Sequence, residues 1–357
     1  CQLVHLIYKN IVHLLFIVIN SRSLQYTMQL MGVATTRSQL CLKRLLAEPQ
    51  ENLPKCKLSS PSQPPSRVGP YLLFVSCERE ETYRAVHTST QKQYTCQVLP
   101  LQGFQERLAA YERIGKHDNI CHLQDVVVGQ DNLYVFLPDH HGDMHAYVRS
   151  RKRLDEEEAG RLFAQMLNAV VHCHHRGVIL RDLKLRRFVF MDQYRTRLAL
   201  LGLNDSVVLH GNPDNDFLKD RHGCPAYVGP ELLNNGNGSY SGRAADVWSL
   251  GVSLYTMLIG RYPFQDTQPA ALFAKIRRGV FSLPSGLSPQ AKCLISCMLR
   301  KLPAERLKAS ELLMHPWLTT NLCVQHHNVH KTHHNQNAMQ NKQMEDDQVV
   351  PTWTEKQ

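Results

Sequence analysis

Apolar residues follow two different rhythms along this chain of 357 residues. Between Tyr71 and Gln97, the short runs YLLFVS and QYTCQVL are rich in β-branched and aromatic residues and lie among turn formers. That pattern predicts a small antiparallel sheet. After Asp139 the period becomes helical. In DEEEAGRLFAQMLNAVVHCHH, Leu162, Phe163, Met166, Leu167, Val170 and Val171 recur at three- and four-residue spacing, which places them on one buried stripe. The three glutamates that open this segment suit the positive end of a helix. Further helices are predicted from Gly242 to Ile259 and from Ser288 to Leu299. A small β-rich lobe followed by a larger helical lobe is an α+β arrangement.

The two ends read differently. Ile11 to Ile19 is an apolar run with Lys9 beside it, but no small-residue cleavage site follows. His5, Lys9, Asn10 and His13 make it a poor membrane span. The reading favours an upstream translation artefact over residues 1–27, with Met28 as a start, and expects no membrane association. Residues 49–68 are rich in Pro and Ser, so 1–66 is read as a disordered region. Residues 319–357 are read the same way. Within them His326 to Gln343 is polar low-complexity sequence, and its five histidines are weighed as a metal site against a flexible tail. The tail is preferred, because no fixed ligand spacing is present.

A net charge of +10 raises nucleic acid as a partner. The basic residues are scattered, however, and runs such as RSRKR (Arg149 to Arg153) suit solvated helix faces, so direct nucleic-acid binding is not expected. The eleven cysteines form no C-x-x-C pair. Cys293 and Cys297, four apart on a predicted helix, read as core packing. Reduced thiols in a cytosolic or nuclear protein account for the set.

The strongest signal is an ordered series: LRDLK, CPAYVGPE, DVWSLGVSLYTMLIGRYPF, ERL and HPWL. It resembles the large lobe of a protein kinase, over Arg67 to Leu318. GDMHAYVRS, LRDLKLRRFVF, HGCPAYVGPELL, GRAADVWSLGV and KIRRG are similar to the Tribbles pseudokinases in particular. The resemblance implies a bilobal kinase-like fold, with 67–318 as a pseudokinase domain.

Phosphoryl transfer by kinases rests on positioning and charge neutralisation, so each part can be sought by position. A glycine-rich loop is missing: no glycine lies between Gly69 and Gly103, and CEREETYRAV carries Glu78, Glu80 and Glu81 there. That segment reads as a plain β-hairpin. Gln97 takes the position of the phosphate-pairing lysine, with Glu106 or Glu112 as the former partner glutamate. Asp182 and Lys184 of the catalytic loop are retained, and Asp182 is read as holding the loop's own backbone. Arg187 replaces the metal-binding Asn, and a guanidinium offers five donors and no acceptor. Gly202, Leu203 and Asn204 replace D-F-G, and Asp205 follows three residues later. Neither a metal nor ATP with magnesium is expected to bind.

From Gly202 to Ala226 the only hydroxyl-bearing side chain is Ser206, while His210 to Gly223 holds several acids. Cys224 stands where Ser/Thr kinases usually have a threonine. Glu231 and Arg306 resemble the ion pair that anchors this segment, and Asp246 and Trp248 resemble the motif of the central helix. Losing chemistry while keeping framework points to a binding surface.

In the tail, MEDDQVVPTW combines acids, two β-branched residues, a proline and an aromatic, a composition that binds in extended form. Asp347, Gln348, Val350, Pro351 and Trp353 resemble the Tribbles motif that docks on an E3 ubiquitin ligase of the constitutive-photomorphogenic type. ELLMHPWL resembles the family's motif for binding MAP kinase kinases, through Leu312, Leu313, His315, Pro316, Trp317 and Leu318. Its large residues are read as core first. The resemblance further implies C/EBP-type transcription factors as substrates, protein kinase B as a partner, and the nucleus and cytoplasm as locations. A weak metal-independent kinase and a kinase inhibitor acting without the ligase are the competing readings.

Overall fold

The computed structural model describes residues 65–75, 82–211, 214–233 and 238–320. The chain divides into two compact units, Cys1–Gly115 with His122–Asp139, and Lys116–Cys121 with His140–Gln357. The first is a curled β-sheet unit and the second is helical, which makes the fold the α+β, bilobal kinase-like class.

The first unit is one antiparallel sheet in the order β1-β2-β3-β4-β6-β5. Its strands are β1 (Ser66–Val68), β2 (Tyr71–Val75), β3 (Thr82–His87), β4 (Gln93–Pro100), β5 (Asp125–Val128) and β6 (Asn132–Pro138). Leu133 to Leu137 of β6 are all fully buried, so this strand is covered on both faces. That explains why alternation did not reveal it. Tyr71 stacks on Phe136 with ring centroids 3.8 Å apart and donates its hydroxyl to Asp125 at 2.7 Å. One side chain thus ties β2 to β6 and β5 across the sheet. Helix α1 (Phe104–Ile114), also absent from the sequence reading, starts after Gly103 at φ +71° and ends at Gly115 at φ +68°. Both glycines adopt backbone that other residues rarely take.

The helical unit is built around α4 (Gly242–Ile259). Before it come α2 (Met144–Arg151) and α3 (Glu156–His175), each begun by an aspartate cap. Asp143 accepts from the Ala146 N–H and Asp155 from the Glu158 N–H, both at 2.8 Å. The exposed arginines 149, 151 and 153 lie on or just past the end of α2. The predicted stripe on α3 is buried throughout. Helix α4 is buried from Ala245 to Leu258 without interruption, and its buried hydroxyls Ser253 and Thr256 donate to the Ser249 and Val252 carbonyls one turn back. It ends at Gly260, where a Cβ would come 2.1 Å from the Lys152 carbonyl oxygen, so no other residue fits.

After α4 follow α5 (Pro269–Arg278), α6 (Pro289–Met298) and α7 (Ala309–Leu312). The buried stripe of α6 is Ala291, Leu294, Ile295 and Met298. Cys293 is exposed and Cys297 half-buried, so the two thiols sit on the rim and not in the core as the sequence suggested. Among the described residues, no helix is long and apolar enough to cross a membrane. Residues 1–64 and 321–357 lie outside the described residues, and with them the apolar run near Ile11, the Pro/Ser stretch up to residue 64 and the histidine-rich segment.

Two buried charges organise this unit. Asp246 on α4 is fully buried and accepts hydrogen bonds from the Leu180 N–H (2.9 Å), the Arg181 N–H (2.8 Å) and His174 Nε2 (2.9 Å). Arg306 grips the Glu231 carboxylate with both terminal nitrogens, at 2.6 and 2.7 Å. The same guanidinium donates to the carbonyls of Ala244 (2.8 Å) and Arg300 (2.9 Å), and lies 4.9 Å from the Trp248 ring centre. Nearly every donor of Arg306 is therefore used. Removing the carboxylate in Glu231→Ala strands that buried charge and should cost about 3–5 kcal/mol. Urea unfolding of the parent and variant measures the difference, and a change below about 1 kcal/mol would show the pair to be peripheral.

Candidate functional site

The stretch that resembles the catalytic loop runs from β7 (Val178–Ile179), through a 3-10 turn (Leu185–Arg187), to β8 (Phe188–Phe190). β8 pairs with β9 (Leu198–Leu200), and β7 with β10 (Val207–Val208), so the chain before and after Gly202 is fixed on the same framework. Leu180 fills the place of a histidine and is buried.

Asp182 and Lys184 meet directly, Oδ2 to Nζ, at 2.9 Å. Asp182 Oδ1 is buried with no partner among the described residues. The loop's backbone hangs from Asp246, so the sequence reading that gave this role to Asp182 is corrected. Asp182 instead presents an oxygen with no hydrogen-bond partner among the described residues.

The position of the second metal ligand carries a cation with a fixed partner. Arg187 Nη2 lies 3.0 Å from Asp205 Oδ2, and His222 Nε2 lies 3.1 Å from the other oxygen of the same carboxylate. Burial opposes the charge of Asp205. The His222 hydrogen bond and the fields of Arg187, His222 and Lys184 outweigh it and hold the carboxyl well below its ordinary range. The same bond to Asp205 raises His222 above 6.5, against a smaller loss from burial.

Gly202, at the position of the principal metal-binding aspartate, has no carboxylate and sits at φ +77°. An aspartate there would adopt that left-handed backbone at a cost. Asp205 is the nearest replacement in sequence, yet both its oxygens are engaged by Arg187 and His222. A magnesium ion does not fit this donor set. Gln97 on β4 is buried and uncharged, and Glu112 on α1 has one buried oxygen without a partner among the described residues. The side chain of Glu106 and residues 76–81, the counterpart of the glycine-rich loop, lie outside the described ones.

The following segment is held by its own acids. Arg181, at φ +61°, forms an ion pair with Asp220. Asp216 accepts from Ser241 Oγ (2.7 Å) and the Arg243 N–H (2.9 Å), clamping the start of α4. Where phosphorylation-switched kinases pair arginine with a phosphate, Arg181 has a carboxylate supplied by the chain. Ser206 is buried with its hydroxyl unpartnered among the described residues, so no kinase can reach it in this fold. The sequence revealed the acids; the pairings of Asp205, Asp216, Asp220 and His222 carried no motif that could have found them.

In ELLMHPWL, Leu312, Trp317 and Leu318 are buried, and His315 is nearly so. Trp317 Nε1 donates to Glu156 Oε2 at 2.8 Å, and Glu156 also receives the Ser288 N–H (2.7 Å) and hydroxyl (2.6 Å). Leu313 is half-buried, and Met314 and Pro316 are exposed. Glu311 is exposed as well, so the accessible part of this segment is Glu311, Met314 and Pro316 with the edge of Leu313. Asp347, Gln348, Val350, Pro351 and Trp353 lie outside the described residues.

Comparison with known proteins bears on this geometry. The protein kinase domain family matches residues 79–318. The chain is 54% identical to Tribbles homolog 3 of Rattus norvegicus over 285 residues, which cover 78% of this chain and 80% of the relative. It is 50% identical to Tribbles homolog 2 of Bos taurus over 286 residues, 78% of this chain and 82% of the relative. Tribbles homolog 1 of Homo sapiens is 52% identical over 253 residues, 71% and 67% of the two chains.

The Asp205–His222 pair fixes a pH dependence. Asp205, lowered by folding, contributes stability above the ordinary carboxylate range and loses it as pH falls through its lowered value. His222, raised by folding, contributes below its unfolded value of 6.5 and loses it as pH rises through its raised value. The stability gap between the parent and His222→Gln should therefore be largest below pH 6.5 and shrink as pH rises from there through the raised value of His222. Denaturant titrations across that range test it; a constant gap would mean that the imidazole does not carry charge in the pair.

Proposed function

This chain belongs to the Tribbles family of pseudokinases, and we propose that it acts as a catalytically inactive scaffold that brings an E3 ubiquitin ligase to bound substrates. The observation that carries the first half is the Arg187–Asp205–His222 cluster. Cations of the protein engage both oxygens of Asp205, the carboxylate nearest in sequence to the position of the principal metal ligand. Loss of a single electrostatic stabiliser typically costs about a hundred- to a thousandfold in rate. Here the lysine, both metal ligands and the glycines are replaced together.

The scaffold half rests on the retained framework and on the tail motif. Asp246, Arg306 and Glu231 keep the helical unit rigid without contributing chemistry, which suits a surface for substrates such as C/EBP-type transcription factors. Asp347, Gln348, Val350, Pro351 and Trp353 supply an extended ligase-binding segment, with Trp353 as anchor and Val350-Pro351 limiting the entropy lost on binding. Glu311, Met314 and Pro316, with half-buried Leu313, are the accessible part of the motif for MAP kinase kinases. Protein kinase B is a further partner, and the nucleus and cytoplasm are where such an adaptor would work.

One observation favours a second reading. The Oδ1 of Asp182, without a partner among the described residues and beside Lys184, supports reading Asp182 as the base of a weak, metal-independent kinase. Thermal melting with ATP and magnesium separates the two, because a ligand stabilises only the state it binds. The scaffold reading expects no rise in Tm. A rise with ATP that does not require magnesium, or phosphate transfer abolished by Asp182→Asn, would favour the enzyme.

The adaptor step has its own test. Anchor aromatics commonly contribute about 2 kcal/mol or more, roughly thirtyfold in affinity. Val350→Ala with Trp353→Ala should weaken ligase binding, measured by calorimetry, by at least that factor. The Tm should stay unchanged, as expected for the tail that the sequence reads as disordered. Equal affinities for parent and variant would leave a kinase inhibitor that acts without the ligase.

A further inference from the structure

Two thiols and an imidazole converge on the rim of the helical unit, far in sequence from the catalytic-loop residues. Cys293 and Cys297 lie four residues apart on α6, the spacing that brings two side chains onto one helix face. His315 comes from the segment after α7, so the three donors reach one place from two separate elements. Their ligand atoms all lie within 4.8 Å of one another. We propose that Cys293, Cys297 and His315 form a binding site for zinc.

The donor chemistry selects the ion. Thiolate and imidazole suit zinc and soft metals, whereas magnesium and calcium require oxygen ligands. Two thiolates also neutralise a divalent charge. Zinc bonds of about 2.0–2.3 Å set tetrahedral donors roughly 3.5–3.8 Å apart. Closing from 4.8 Å needs about an ångström of movement, within reach of small side-chain rotations.

The backbone positions are already in place. Buried Leu294, Ile295 and Met298 anchor α6 on either side of the thiols, while Trp317 and Leu318 anchor the segment that carries His315. One ring nitrogen of His315 accepts the Trp317 N–H at 3.2 Å, a long bond that orients the imidazole and that metal binding would exchange for a stronger one. Cys293 is exposed, so the fourth position opens to solvent, and water or a donor from a partner completes the shell. Bound zinc would cross-link α6 to the segment that bears Met314 and Pro316.

The full chain holds eleven cysteines and nineteen histidines, so the test must name the ligands. Cobalt(II) is the probe, because thiolate ligation gives an intense near-ultraviolet charge-transfer band that histidines alone do not produce. The reduced full-length protein should take up one equivalent of cobalt with that band, and zinc should displace it and raise the Tm. Cys293→Ser and Cys297→Ser should each abolish the band and weaken zinc binding at least tenfold. The exposed Cys293→Ser variant should keep the metal-free Tm of the parent, so its loss of binding is not unfolding. No thiolate band in the parent overturns the proposal, and so does a band that survives both substitutions, which would place the metal on other cysteines.

Discussion

A single buried carboxylate sets the geometry of the helical unit. Asp246 has no access to water, so its charge is tolerable only because three donors converge on it, from Leu180, Arg181 and His174. Two of these donors are backbone N–H groups of the loop that carries Asp182, Lys184 and Arg187. Where that loop lies is therefore decided by α4, whatever side chains the loop displays. This explains how the chemistry could be replaced residue by residue without loss of shape. The fold is fixed through the backbone, and the side chains facing the former metal position were left open to change.

Where a kinase carries its metal ligands and phosphosite, this chain has an internal set of charges. An active kinase holds this region together with ions and phosphates that come from outside: metal on carboxylates, and phosphate on arginines. In this chain Arg187 provides the positive charge and Asp220 the negative one. Both are permanent. On the scaffold reading proposed above, a region ordered by its own side chains needs neither nucleotide nor an added phosphate to hold its surface. That is a suitable property for an adaptor, whose partners bind a shape and not a turnover state.

The ELLMHPWL segment shows how a sequence motif divides between core and surface. Trp317 and Leu318 are buried, and the Trp317 indole is hydrogen-bonded to Glu156, the residue that also receives the cap of α6. Substituting them would remove structure along with any binding. Glu311, Met314 and Pro316, with the edge of Leu313, are the accessible residues of this segment, and Cys293 and Cys297 lie beside its His315.

The sequence by itself determined the fold class, the stripe on α3, the span of α4, and which parts of the phosphotransfer apparatus are missing. Those properties depend on residue type and local spacing, both written directly in the chain. It left β5, β6 and α1 unread. A strand buried on both faces shows no alternation, and a short helix between glycines has too few turns to establish a period. Only the tertiary structure decided that Arg187 pairs with Asp205, that Asp220 takes the place of a phosphate on Arg181, that Asp246 rather than Asp182 holds the loop, and that Cys293 and Cys297 lie on the rim beside His315. Each of these is a meeting of residues about 18 to 66 positions apart or a choice of helix face. Charge and polarity can be counted along a sequence, but which charge finds which is set by the packing that brings distant segments together.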